Sequence, residues 1–238
     1  MKPFLTAEWR KLLVINYEVD SAILRPYLPF GTELDLFEEK CYVSLIGFMF
    51  LNTKVKGIRF PGLSDFEEVN LRFYVKRKVN GEWRRGAVFI KELVPKKILA
   101  LVANLFYKEH YKAVPMSHQL EKLNDKMKIK YLWKYAEVEN SISVTTQPTK
   151  QGLLNGSEAH FILEHYYGYT KVSESKTYEY EVKHPVWEIY PVRDFLVDVN
   201  FEVNYGKDFL FLNNQSPCSV YVAEGSEISV MDKINYKL

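Results

Sequence analysis

Between residues 66 and 106 the chain changes its hydrophobic period. Val69, Leu71, Phe73 and Val75 alternate with Glu68, Asn70, Arg72 and Tyr74. A period of two in β-branched and aromatic residues predicts a strand. Asn80-Gly81 follows. A type I′ turn needs positive φ at both central residues, so this pair predicts a tight hairpin with residues 86–94 as the returning strand. Pro95 then sits at a helix start, where its missing N–H costs nothing. Ile98, Leu101, Val102, Leu105 and Phe106 recur at helical spacing, which predicts a helix with that row facing the core.

The same patterning divides the rest of the chain. Residues 10–18 read as a strand, and 20–28 as a short helix capped by Asp20 or Ser21. Residues 32–37 and 41–52 read as a strand pair joined through 38–40, and 56–65 as a loop. Residues 113–118 are extended around Pro115. Residues 126–137 and 141–147 predict a hairpin turning at Glu139-Asn140, and 149–155 a loop. Ser157 caps a short helix to about Glu164. Residues 166–171 and 177–183 form another strand pair, broken at His184-Pro185 and resumed at 187–191. Residues 219–223 and 227–231 predict a closing hairpin that turns at Gly225-Ser226. About ten short strands, with three short helices inserted rather than alternating, predict a mainly β (α+β) antiparallel barrel or cone.

Length and composition narrow this further. With 238 residues and no Pro/Gly/Ser-rich linker, the expectation is one domain over 1–238. A chain of this length buries a substantial core without disulfides or metals. The net charge is +2 and the lysines and glutamates are interspersed, a pattern unlike that of nucleic-acid binders. The longest apolar run, 42–51, is about half a membrane span. Two distant cysteines, Cys41 and Cys218, and no secretory apolar segment after Met1 suggest the cytoplasm. The expected partner is a small molecule in the barrel cavity, with no nucleic acid and no membrane. Self-association into a homo-oligomer stays open. No cofactor and no metal are expected, because His160 and His165 do not share a helical face.

Five segments in order, NYEVDSAILRPYLPFGTELD, EEVNLRFYV, ELVPKKILALVANLFYKEHYKAVPM, FILEHYYGYTK and KHPVWEIYPV, resemble the YqjF-like family of uncharacterised bacterial proteins, within the acetoacetate decarboxylase-like superfamily. The resemblance implies a cone of mostly antiparallel strands around a cavity. It does not by itself deliver an activity. More distantly, Pro95-Lys96-Lys97 resembles the Pro-Lys-Lys stretch of acetoacetate decarboxylase. There the first lysine forms a Schiff base and the second helps to keep it neutral, a case that general accounts of activated lysines use as their example. By that resemblance Lys96 is the nucleophile, Lys97 its neighbouring cation, and Glu68 the family's aromatic-x-Glu carboxylate. The chain departs from that pattern twice. Leu93-Val94 stands where a Gly-aromatic pair is expected, and Glu18 follows Tyr17 where an arginine is expected to bind the substrate carboxylate.

The residues themselves leave alternatives open. A lysine that attacks a carbonyl must be neutral near pH 7 rather than at its ordinary value of about 10.4. Burial, an adjacent cation and a helix N-terminus all push that way. The helical phase instead puts Lys96 opposite the apolar row and Lys97 at its edge, as for two solvated lysines. Glu68, Asn70, Arg72 and Tyr74 meet solvent in an open sheet and line the lumen in a closed one. A two-residue turn sets Asn70 against Lys91 and Glu92 against Val69. A carboxylate on that apolar face is costly unless paired, so either Glu92 partners a buried cation or the register slips. His184, before Pro185 and near Trp187, is either a ligand contact or a strand-end histidine held by backbone. Two functions follow. One is an enzyme acting on a small carbonyl or carboxylic compound through Lys96 and the carboxylates Glu68 and Glu92, with Asn70, Arg72, Tyr74 and His184 binding ligand. The other is a non-catalytic small-molecule-binding barrel.

Overall fold

The computed structural model describes residues 2–237. The strands in chain order are β1 (Leu5–Val19), β2 (Glu33–Leu34), β3 (Cys41–Val55), β4 (Phe66–Val79), β5 (Glu82–Val94), β6 (Tyr111–Ala113), β7 (Met116–Lys122) and β8 (Met127–Tyr135). They continue with β9 (Val138–Thr146), β10 (Tyr167–Ser173), β11 (Lys176–Lys183), β12 (Ile189–Tyr190), β13 (Val192–Asp198), β14 (Ser219–Val230) and β15 (Ile234–Lys237). Four short α-helices interrupt them: α1 (Ser21–Leu24), α2 (Lys97–Tyr107), α3 (Glu158–Leu163) and α4 (Phe201–Tyr205). None of the described helices is long and apolar enough to cross a membrane.

The larger sheet follows the order β14-β1-β3-β4-β5-β10-β11, and β11 then pairs with β14, so these strands form a closed ring. Pairing is antiparallel except where β10 and β6 meet β5. Closure at the β11–β14 seam rests on two residue pairs, Val182↔Val230 and Lys183↔Ser229. A four-stranded sheet, β13-β9-β8-β7, covers one side of the ring.

Strand alternation gives each ring strand two buried faces. Val69, Leu71, Phe73 and Val75 face outward and pack with Tyr131, Trp133 and Ile142 of the covering sheet. The inner core is Leu12, Val14, Ile46, Phe48, Tyr74 and Val182, with Phe161 and Ile162 of α3 among them. A strand buried on both faces loses the simple rule that polar means exposed. That is why Glu68, Asn70 and Tyr74 are each no more than 2% exposed.

The local signals that name a mechanism hold. Asn80 and Gly81 both have positive φ, 52° and 90°, and β4 and β5 pair from Val79↔Glu82. Asp20 accepts a hydrogen bond from the Ala22 N–H at 2.8 Å, and Ser157 one from the His160 N–H at 3.2 Å.

Other expectations are corrected. β14 runs unbroken through Gly225 instead of turning there. A Cβ at Gly225 would lie 1.9 Å from the Trp9 carbonyl oxygen, so this glycine permits close contact with β1. The β8–β9 turn is Ala136-Glu137, with φ of 47° and 66°, rather than Glu139-Asn140. β2 pairs with β4, Glu33↔Lys76, instead of with β3.

The largest correction is α2, whose apolar row faces out. Leu101 and Leu105 are 54% and 62% exposed. The inward row is Ala100, Asn104 and Tyr107. Asn104 binds both backbone polar groups of Tyr111, at 2.9 and 3.0 Å. The helix turns a small and polar row inward because what it covers is polar.

Candidate functional site

The site begins with a bulge. From the turn, β4 and β5 keep the register of a two-residue hairpin as far as Arg72↔Phe89. The next pair is Leu71↔Lys91, so Ile90 is the extra residue. A bulge of one residue exchanges the faces of everything beyond it. Glu92 therefore stands opposite Asn70 instead of Val69, and points into the ring. Lys91 goes to the outer face, where its ammonium donates to the Asn204 carbonyl. The expected pairing of Asn70 with Lys91 is thus corrected.

Inside the ring, three carboxyls gather. Glu68 and Glu92 are 2% exposed and Glu109 is 7% exposed. Asn70 donates to Glu68 at 2.9 Å and Tyr111 donates to the other Glu68 oxygen at 3.0 Å. Thr170 and Tyr180 both donate to Glu109, at 2.6 and 3.1 Å. Tyr180 lies flat over β10 because Gly168 is beneath it, where a Cβ would come within 2.1 Å of the tyrosine ring.

Among the described residues, none of these carboxyls forms a salt bridge. Burial disfavours the charged form. It raises Glu68 to about 7 against the pull of its two donors and the Arg72 charge. It raises Glu109 to about 7 as well. Glu92 is pushed well above the ordinary range, by burial first and then by the Glu109 and Glu68 charges.

Two residues along the inner face from Asn70 is Arg72. Its guanidinium lies 5.4 Å from the Tyr74 ring centre and donates weakly to the Ile162 carbonyl at 3.4 Å. Tyr74 shares a hydrogen bond with Ser44 at 2.7 Å and stacks on His165 at 4.5 Å. His165 Nε2 is 3.5 Å from Asp35, which accepts from Arg85 Nε at 2.5 Å. Burial drives His165 down to about 4. Burial alone would raise Asp35, but His165 and Arg85 beside it hold it below the usual carboxylate range.

Unsatisfied polar atoms concentrate here. Nine buried side-chain nitrogens and oxygens have no hydrogen-bond partner among the described residues. Six of them are Asn70 Oδ1, Arg72 Nε, Glu92 Oε2, Glu164 Oε1 and both His165 ring nitrogens. Buried polar groups are ordinarily paired, and this cluster of exceptions is what singles the place out as the candidate site.

The structure brings together Glu68, Asn70, Arg72, Tyr74 and Glu92 and leaves three other candidates at the surface or the seam. Lys96 is the cap residue of α2, with φ −116° and ψ 124°, and its side chain is exposed, as is that of Lys97. Because α2 faces the other way from its apolar row, Lys96 heads the inward row that continues through Ala100 and Tyr107. His184 is stacked between Tyr166 and Trp187, at 4.6 and 4.2 Å. It lines a groove of about 780 Å³ at the β11–β14 seam, with Arg10, Lys183 and the inner-core residues Ala7 and Ile228. Glu109, Tyr111, Thr170, Tyr180, Glu164 and His165 were missed by sequence reasoning. They come from four separate segments that only the closed ring unites. The one available hint was Gly168, a glycine inside a strand pattern, which signals close approach.

The fold is shared with enzymes of known structure at low identity. The enduracididine biosynthesis enzyme MppR, solved in complex with pyruvate, superposes with a TM-score of 0.67 at 12% identity, covering 99% of this chain and 91% of that one. An acetoacetate decarboxylase-like enzyme from Sphingomonas wittichii RW1 gives 0.65 at 11% identity, covering 100% and 94%. Acetoacetate decarboxylase from Legionella pneumophila gives 0.64 at 13% identity, covering 100% and 88%. At such identities the likeness is one of fold. In sequence, the chain is 35% identical over 71 residues to the uncharacterized protein YqjF of Bacillus subtilis (strain 168), a match that spans 29% of each chain. A family model described as an uncharacterized conserved protein, DUF2071, matches residues 6–227. The chain therefore belongs to the DUF2071 family, on an acetoacetate decarboxylase-like fold.

Proposed function

We propose that this protein binds a small carbonyl or carboxylic compound inside the ring and moves a proton on it, with Arg72 holding the carboxylate and Glu68 acting as acid and base. The observation that carries this reading is one strand face. Arg72 has a buried donor without a partner, and Glu68, four residues away on the same face, titrates at about 7. A guanidinium is suited to a carboxylate in two-point contact. A carboxyl poised near neutrality gives and takes a proton equally well at working pH. Arg72 also stands in for the arginine that Glu18 replaces early in the chain. The fold's relatives include an enzyme solved with pyruvate and two named for or after acetoacetate decarboxylase, which supports a keto acid as the first compound to try.

The reaction is a proton exchange beside a carbonyl. Glu68 as carboxylate takes a proton from the carbon next to the ligand's carbonyl. The electron pair moves onto the carbonyl oxygen. Glu68 trades that proton for one from solvent and returns it to the carbon as the electron pair comes back from the oxygen, which closes the cycle. In deuterium oxide the methyl hydrogens of pyruvate are then replaced by deuterium. NMR of pyruvate with and without the protein reads this directly. Exchange that is at least tenfold faster with wild type and lost in Glu68→Gln supports the reading. Binding without exchange supports the non-catalytic binding barrel instead.

A covalent form of the same chemistry has one observation in its favour, the place of Lys96 at the head of the inward row of α2. Its amine would add to the carbonyl carbon and lose water to form an imine, which withdraws electrons more strongly than the carbonyl. The Lys96 side chain is exposed in this structure, so the acid–base form is the one carried forward. Borohydride reduction with pyruvate, followed by mass mapping, separates the two. A mass increase on Lys96 establishes the covalent form, and an unmodified lysine leaves Glu68 and Arg72 as the machinery.

A further inference from the structure

The unpaired atoms on the β4 face differ in kind along the strand. At Arg72 the unpartnered atom is a donor, Nε. At Asn70 and Glu92 the unpartnered atoms are acceptors, Oδ1 and Oε2. Both acceptor residues are 2% exposed and they face each other across β4 and β5.

The donors around the acceptors are already engaged. The Asn70 amide and the Tyr111 hydroxyl are held by Glu68. The Thr170 and Tyr180 hydroxyls are held by Glu109. The Arg72 guanidinium leans the other way along the strand, toward Tyr74 and Ile162. This end of the lumen thus gathers carboxyls with no cation in salt-bridge contact, and Arg72 has no carboxylate in salt-bridge contact, among the described residues. One molecule that corrects both has an ammonium at one end and a carboxylate at the other.

We infer that the lumen takes a zwitterionic amino-carboxylate ligand, its ammonium donating to Asn70 Oδ1 and Glu92 Oε2 and its carboxylate accepting from Arg72. This rests on the assignment of Arg72 to a ligand carboxylate made above. A primary ammonium has three donors and no acceptor, which suits two facing acceptors with Glu109 beside them. Residues two apart on one strand face are separated by about 6.5–7 Å. The two ends of the site therefore match a short chain with the amine removed from the carboxylate. They match an α-amino acid, whose charges are adjacent, less well. Burying a cation is costly unless it is paired and hydrogen-bonded, and Glu92 supplies both, giving up its proton as the ammonium enters.

The test is a calorimetric titration of the whole protein with matched pairs of probes. The amino series is glycine, β-alanine, 4-aminobutanoate and 5-aminopentanoate. The reference series is acetate, propanoate, butanoate and pentanoate. The expected result is that at least one of the longer amino acids binds tenfold or more tightly than its deaminated partner, and that Glu92→Gln brings the pair to within about twofold. The paired probes need no variant, so the comparison stands even if Glu92→Gln folds poorly. If the carboxylates bind but the amine gives no advantage at any length, this inference fails and the Arg72 reading survives. An advantage that persists in a folded Glu92→Gln places the ammonium elsewhere and also overturns it. If neither series binds, both readings fall together.

Discussion

Asn70 stands directly opposite Glu92 across β4 and β5, one position beyond where the Asn80-Gly81 turn alone would register them, because Ile90 bulges. This pairing turns a carboxylate that would have faced the apolar packing between ring and covering sheet into a member of the inner polar cluster. Deleting Ile90 removes the extra residue, so Lys91 should follow Phe89 in an unbroken ladder and Glu92 should stay opposite Asn70 on the inner face. The expected loss is that of one buried side chain, about 2–5 kcal/mol. Ile90→Ala, which keeps the bulge, should cost a similar amount, and chemical denaturation of the two variants makes the comparison. A deletion variant that fails to fold while Ile90→Ala folds would contradict this register.

The inner carboxyls make stability depend on pH in a stated direction. Glu68 and Glu109 titrate at about 7 in the folded chain against 4.5 ordinarily. As pH rises from about 4.5 to 7 the unfolded chain sheds these protons while the folded chain keeps them. Their contribution is therefore complete below about 4.5 and declines through this window, by about 1.4 kcal/mol per pH unit for each group, then levels off above 7. His165, lowered to about 4 from 6.5, works oppositely and costs stability as pH falls between those values. Glu109→Gln removes one of the rising groups. Its stability relative to wild type should increase between pH 5 and pH 8, and denaturant unfolding across that range measures the slope.

The outward row of α2 predicts tolerance where the sequence pattern suggests a core. Leu101→Lys and Leu105→Glu lie at positions more than half exposed. Each should change unfolding free energy by about 0.5 kcal/mol or less. Leu71→Ala, at a position with no exposure, should cost about 2–5 kcal/mol. Melting of the three variants side by side checks the orientation of the helix.

Much of the scaffold was legible because its signals have short-range causes. Asn80-Gly81 demands its turn, Asp20 and Ser157 cap their helices through their own side chains, and the alternation along β4 is that of a strand. Features with long-range causes were not legible. The bulge at Ile90 has no glycine or proline to mark it. The amphipathic row of α2 shows that the helix has two faces but not which one the ring covers. Gly225 carries a turn-like positive φ yet serves a contact with Trp9, far away in sequence. For the site, β4 displayed Glu68, Asn70, Arg72 and Tyr74 on one face, but the closure that makes this face interior depends on β11 meeting β14 more than 100 residues later.

Asp35 and Arg85 form a pair whose partners are unequally buried, with side chains 7% and 32% exposed. Removing the cation leaves a carboxylate next to a histidine that burial keeps neutral. Arg85→Met should cost about 3 kcal/mol, as for a buried pair broken on one side. Asp35→Asn with Arg85→Met should recover part of that loss, since no uncompensated charge remains. A double-mutant cycle by denaturant unfolding reads the coupling.

The most direct measurement follows the Arg72 side chain itself. With arginine labelled in 15N, the Nε–H of Arg72 gives a resonance that Arg72→Lys identifies by its loss. Titration with pyruvate should shift that resonance downfield in a saturable way, because an unpartnered donor acquires a carboxylate, and the other arginine signals should stay in place. A resonance that does not move while pyruvate binds, or an absence of binding altogether, contradicts a ligand site inside the ring at Arg72.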